Sequence, residues 1–232
     1  MTLLLPIVGS AASLDEAKAA VEAGRFAQAA DMYRELAASG DAKAQYNLGL
    51  MYARGDGVAE NPQEAVKWYR LSAEQGFPEA QYALGVIYFS RNAGVAMDYD
   101  EAIKWYRQAA EQGHVRSQLN LGIVYLRGDV VPQDIPQALK WFGLAAAQGD
   151  SDAQFNLGNM YLEGEGVPAS MVNGYMWIWL AAENPHDAHG RSAKRKKLLM
   201  YLEARMTPEQ LAEAKALAQA CQAQQYQSCK MA

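Results

Sequence analysis

The sequence predicts an all-α array of stacked helix-turn-helix units, and three periodic features carry that prediction. Leu48, Gly49, Leu50, Met51, Tyr52 returns as Leu84 to Tyr88, Leu121 to Tyr125 and Leu157 to Tyr161, with the glycines 36, 37 and 36 residues apart. Trp68, Trp105, Trp141 and Trp177 recur at 37, 36 and 36, each followed five residues later by Ala73, Ala110, Ala146 or Ala182. Asn61, Asp98, Asp134 and Ser170 keep the same beat just before each tryptophan segment, where a side-chain oxygen accepts from the first free amides of a helix. A fixed period between about 20 and 50 residues marks an array, because one helix pair cannot bury its apolar face alone.

Each unit reads as helix A, loop, helix B and glycine turn. In the first helix A, about 100° per residue puts Ala44, Leu48, Gly49 and Tyr52 on one face and Lys43, Tyr46, Leu50 and Arg54 on the other. Glycine inside a helix costs about 0.8 to 1 kcal/mol relative to alanine, so its return in all four units implies a neighbouring helix too close for a side chain. The Trp of helix B is expected to fill the space between units, and Glu64, Glu101 and Gln137 stand where they complete capping boxes. Gly40, Gly76, Gly113 and Gly149 close the B helices. Tracing the register backward places Ala29, Met32 and Ala37 at the alanine, Trp and alanine positions of an earlier pair, about Ser13 to Ser39, joined at Gly24 and Arg25.

The loop between the helices is Gly55-Asp56-Gly57-Val58 in one unit and Gly164-Glu165-Gly166-Val167 in another; Gly128-Asp129-Val130-Val131 loses the second glycine. Phe89 to Val95 carries one additional residue, which accounts for the spacing of 37. Acidic Asp56, Asp129 and Glu165 lie where a bound phosphate would have to sit, and no Gly-Lys-Ser/Thr follows, so these are structural turns rather than a nucleotide site.

Beyond Ala182 the glycine turn gives way to Asn184 and Pro185, and the series ends. Asp187 to Arg205 has helix-forming composition, and Thr207-Pro208-Glu209-Gln210 is a capping box that opens a further helix; the two cover the last unit's apolar face. The basic run Arg191, Lys194, Arg195, Lys196, Lys197 reads as a solvated helix face before a phosphate or anionic-lipid patch. In a continuous helix Cys221 and Cys229 would lie about 12 Å apart, beyond disulfide reach. A local clip therefore requires the helix to end between them, and two free thiols are the alternative. His186, Asp187 and His189 are a weak metal candidate without a further nameable ligand, so neither a metal nor a cofactor is expected.

These residues together resemble the Sel1-like repeat family, relatives of the tetratricopeptide repeat with a longer loop, over about Asp41 to Ala182 with motifs such as "AQYNLGLMYARGDGV…EAVKWYRLSAEQG". Met206 to Ala214 is similar to a tail found on many bacterial members. The resemblance implies an α-solenoid: a tetratricopeptide-like pair at 13–40, four repeats at 41–76, 77–113, 114–149 and 150–183, and capping helices with a tail at 184–232. It also implies a protein-binding scaffold, commonly of the bacterial envelope. By analogy with tetratricopeptide arrays the concave groove is lined by Lys43, Tyr46, Leu50, Arg54; Glu79, Tyr82, Val86; Arg116, Leu119, Ile123, Arg127; and Asp152, Phe155, Asn159, Glu163. The rings and leucine at 46, 82, 119 and 155 either anchor a peptide there or are buried between adjacent A helices.

A formal net charge of −5 argues against a protein that coats nucleic acid. Leu3 to Val8 followed by Ser10, Ala11 and Ala12 suits an exported chain cut after Ala12, although the positive start of a signal peptide is missing, and no stretch is long enough to span a bilayer. A periplasmic or secreted protein is expected, with a cytoplasmic one as the alternative. The enzyme alternative is an exported hydrolase of the β-lactam or peptidoglycan type, because some cysteine-rich Sel1-like proteins are linked to penicillin binding. Against it, the repeats hold no cysteine, and the chain has no Ser-x-x-Lys, Gly-x-Ser-x-Gly or His-Glu-x-x-His. The sequence therefore favours a non-catalytic binder of a protein or peptide segment.

Overall fold

Every described secondary-structure element is a helix, and the B helices of the four repeats open at the cap residues that the periodic sequence marks. The computed structural model describes residues 13–90, 94–185, 190–226 and 229, so the expected leader at 1–12 and the His186, Asp187, His189 cluster lie outside the described residues. The chain divides into two compact units, Met1–Gln108 and Ala109–Ala232, with the division inside one helix.

The first unit holds α1 (Leu14–Glu22), α2 (Phe26–Ala38), α3 (Ala42–Arg54), α4 (Pro62–Glu74), α5 (Pro78–Phe89) and most of α6 (Tyr99–Glu111). The second holds α7 (Val115–Arg127), α8 (Ile135–Ala147), α9 (Ser151–Glu163), α10 (Met171–Ala182), α11 (Ser192–Glu203) and α12 (Pro208–Ala223). Helices pack as consecutive pairs, α1 on α2, α3 on α4, α7 on α8 and α9 on α10, and B helices meet the next A helix, as α4 meets α5 and α8 meets α9. This is an α-solenoid of stacked helix pairs.

The N-caps form at Asn61, Asp98, Asp134 and Ser170, whose side chains accept from the amides of Glu64, Glu101, Gln137 and Asn173 at 3.0 to 3.1 Å. The reciprocal half expected of Glu64, Glu101 and Gln137 does not form. The two carboxylates turn forward instead to Lys67 and Lys104, a charge-assisted pair one turn along the same helix. Full capping boxes occur at Ser13 with Glu16 and at Thr207 with Gln210. The B-helix turns at Gly40, Gly76, Gly113 and Gly149 all have φ between 82° and 97°.

The helix A glycine explains the tightness of each pair. A Cβ on Gly49 would stand 2.7 Å from the Tyr69 ring, one on Gly122 2.5 Å from the Phe142 ring and one on Gly158 2.5 Å from Ile178; Tyr106 crosses Gly85 in the same way. The residue that crosses each glycine is the one after the register Trp, a contact the repeat pattern did not announce. The second loop glycine has a similar cause, since a Cβ at Gly57 would enter the backbone of Phe26 and one at Gly166 would meet Ile135, each at the start of the preceding B helix.

Trp68, Trp105 and Trp177 lie between successive pairs as expected. Trp105, 6% exposed, joins the cluster of Ala65, Tyr69, Leu84 and Tyr88 from α4 and α5. Trp177, 2% exposed, joins Ala138, Phe142, Leu157 and Met160.

A second repeating contact is polar. Gln45, Gln81, Gln118 and Gln154 are buried, and each Nε2 donates to a carbonyl in the last turn of the preceding B helix, Ala37, Ala73, Ala110 or Ala146, at 3.0 to 3.3 Å. Their own carbonyls are used too: Gln75 donates to Gln45 and Gln148 to Gln118 at 2.7 and 2.8 Å. The glutamine therefore staples one helix pair to the next while its buried amide stays paired.

At the C-terminal end α10 packs against both α11 and α12. Leu199 and Leu202 of α11 enter the cluster of Tyr175 and Ile178, and the Tyr175 hydroxyl donates to Glu203 at 2.6 Å. That hydrogen bond, helped by Lys215 at 3.3 Å, holds the Glu203 carboxyl below its ordinary range. Ala218 and Cys221 of α12 enter the cluster of Phe142, Ala145 and Trp177. The helix ends at Ala223, the chain reverses through Gln225 and Tyr226, and Cys221 is joined to Cys229 with their Cα atoms 5.0 Å apart.

Trp105→Ala should cost about 3 to 5 kcal/mol by opening a cavity between pairs. Trp179→Ala, at a half-buried position outside the register, should cost less, and equal losses in urea denaturation would refute the register. Protein recovered from an oxidising compartment should resist alkylation at Cys221 and Cys229 until reduced, and two thiols that react at once in the native protein would contradict the clip.

Candidate functional site

The face of each A helix opposite its glycine carries the residues expected to meet a partner, and none of them is fully buried. In the first unit Lys43, Arg54 and Glu79 are exposed, while Tyr46, Leu50, Tyr82 and Val86 are half-buried. Tyr46 leans on Tyr69 and Phe77 with ring centres 5.7 and 5.4 Å apart, and Tyr82 on Tyr106 at 6.0 Å. Tyr46, Leu50, Tyr82 and Val86, with Tyr69 and Ile87 beneath, line an open hollow of about 530 Å³. Burial pushes the phenols of Tyr46 and Tyr69 up, and the Glu79 carboxylate adds to the effect at Tyr46.

A second hollow of about 470 Å³ lies between α1, α2 and α3. Leu50 belongs to both, and Val21, Phe26 and Tyr33 supply the apolar wall of the second. Its rim is of mixed charge, with Lys43 and Arg54 beside Asp15 and Glu22; the first hollow has the Glu60 carboxylate in its lining, with Glu79 and Arg54 both near Tyr46.

In the second unit Arg116 and Arg127 of α7 are exposed, and Leu119 and Ile123 are half-buried against the core cluster. On α9, Asn159 is half-buried and Glu163 exposed, but Asp152 and Phe155 already have an intramolecular occupant. Arg195 of α11 donates to Asp152 at 2.5 Å and to the Ala181 carbonyl at 3.0 Å, and its guanidinium lies 5.4 Å from the centre of the Phe155 ring. Arg191 adds a bond to Asp152 at 2.8 Å.

Arg195 corrects the reading of the basic run as a wholly solvated face, because it is 2% exposed. The signal was present in the spacing: Arg195, Leu199 and Leu202 fall at i, i+4 and i+7 and share the inward face of α11. The stapling glutamines also had a signal, the spacing of 36, 37 and 36, which the tryptophans overshadowed. Among the described residues no group of three His, Cys, Asp or Glu side chains is placed to hold a metal, and no helix is long and apolar enough to cross a membrane.

The fold defines a helical-repeat protein built of stacked helix pairs. The Sel1 repeat model matches residues 42–77, 78–114, 115–150 and 151–186, more than half of the chain, which belongs to the Sel1 repeat family. Its structure is similar to a Sel1 repeat protein from Oxalobacter formigenes, with 37% identity, a TM-score of 0.65, and coverage of 74% of this chain and 49% of that one. It is also similar to a protective antigen of uropathogenic Escherichia coli, with 28% identity, a TM-score of 0.55, and coverage of 92% and 54%. Among curated proteins, a negative regulator of exopolysaccharide production from Rhizobium meliloti is 46% identical over 57 residues, 25% of this chain and 21% of that protein. The chain thus spans about half of these solved chains and a smaller share of the curated relative.

Arg195→Ala should cost about 3 kcal/mol, because it strips a largely buried carboxylate of its main partner. Arg191→Ala, at a side chain 52% exposed, should cost about 0 to 1 kcal/mol. Equal losses in denaturant titration would contradict the assignment of Arg195 as the residue that docks α11.

Proposed function

We propose that this chain is a non-catalytic scaffold or regulator of the bacterial envelope that binds a peptide or protein segment on its A-helix face. The observation that carries the reading is the hollow of the first unit, where Tyr46, Leu50, Tyr82 and Val86 present half-buried apolar surface. Rings held on rigid helices give contact area at small entropic cost, which suits anchor side chains of a partner. Exposed Arg54 and Glu79, both close enough to act on Tyr46, supply the mixed charges that select a segment of complementary pattern.

The envelope assignment draws on the apolar leader and small residues before Ser13 and on the Cys221 to Cys229 clip, which persists in oxidising compartments. The regulator of exopolysaccharide production among the relatives is consistent with such a role.

Affinity capture from envelope extract, with mass spectrometry, identifies the partner, and binding of the identified segment then tests the surface. Tyr82→Ala should weaken binding by about tenfold or more while helical circular dichroism is kept. Arg54→Glu should weaken it mainly at low salt, since exposed charges are screened beyond about 10 Å at 0.1 M. A folded Tyr82→Ala protein that binds as tightly as the parent would move the site off this face.

A further inference from the structure

The outer face of α11 remains unused by the packing and by the proposed groove. Residues 191–205 contain six Lys or Arg and one Glu, a net of +5 in a chain of net −5, so the remainder carries −10. Arg195 is spent on Asp152, Arg191 also bonds Asp152, and Lys196 pairs with Glu183 at 3.1 Å. Lys194 and Lys197 are exposed and form no ion pair among the described residues. On the same outer face Met200 is 69% and Tyr201 53% exposed, the two most exposed large apolar side chains described, and the Arg205 guanidinium lies over the Tyr201 ring. Buried Arg195, Leu199 and Leu202 fix the helix from below, so this face is presented by a seated helix.

We propose that the outer face of α11 docks the protein on the surface of an anionic phospholipid bilayer. Cations beside exposed Met and Tyr are the pairing that such a surface rewards: the lysines approach the headgroups, and the apolar side chains enter the interfacial layer. The face is the rounded outside of a single helix rather than a groove that could hold a peptide, which favours a planar partner over an acidic protein segment. Charge segregation orients the contact, because the strongly acidic remainder of the chain is repelled by the same surface.

Co-sedimentation of the full chain with phosphatidylglycerol-containing vesicles, and with phosphatidylcholine vesicles, tests the proposal. The protein should sediment with the anionic vesicles, and added salt should release it. Lys194→Glu with Lys197→Glu should weaken this by about tenfold or more, and Met200→Ser with Tyr201→Ser should weaken it without abolishing its salt dependence. All four positions are exposed, and circular dichroism checks that the variants keep their helices. Failure to sediment, equal binding to both vesicle types, or unchanged binding after charge reversal would overturn the proposal. So would tight binding of soluble polyglutamate that ignores Met200→Ser and Tyr201→Ser, which would assign the face to an acidic protein segment. None of these outcomes depends on the A-helix groove.

Discussion

The architecture rests on the near-contact between a helix A glycine and the side chain that crosses it from helix B. Tyr69 over Gly49 and Phe142 over Gly122 leave no room for even a methyl group. With the two helices this close, the register Trp projects past its own pair and packs on the preceding one. The loss of helix propensity at each glycine is offset by this packing, which explains why so costly a residue recurs in a helix interior.

The apolar contacts are non-directional, and the glutamines supply the register. Each carbonyl in the last turn of a B helix lacks a full set of intrahelical partners. Gln81 reaching Ala73, or Gln154 reaching Ala146, adds a second donor to a carbonyl that also accepts from Gly76 or Gly149, so a slip between pairs would strand the buried glutamine amide. Hydrophobic burial drives the stacking, and these hydrogen bonds select one alignment.

The array's last A helix faces a different constraint. Without a further repeat, the surface around Phe155 and Asp152 would lie open, and α11 covers it with Arg195. In the first unit the corresponding rings, Tyr46 and Tyr82, lean on inner aromatic side chains while keeping an open side toward a hollow. These rings support packing between helices and remain half-exposed.

The sequence by itself determined the repeat unit, its N-caps and turns, and that a Cys221 to Cys229 clip would need a helix break between them, because those follow from local backbone chemistry and fixed spacing. It also marked the positions of the helix glycines and the tryptophans, though not what crosses each glycine. Tertiary structure alone decided that Tyr69, Tyr106, Phe142 and Ile178 do so, since that depends on the angle at which two helices meet. It likewise decided that Arg195 turns inward while Lys194 and Lys197 stay in solvent: identical formal charges in one basic run are separated only when the helix docks and Asp152 is there to receive one of them.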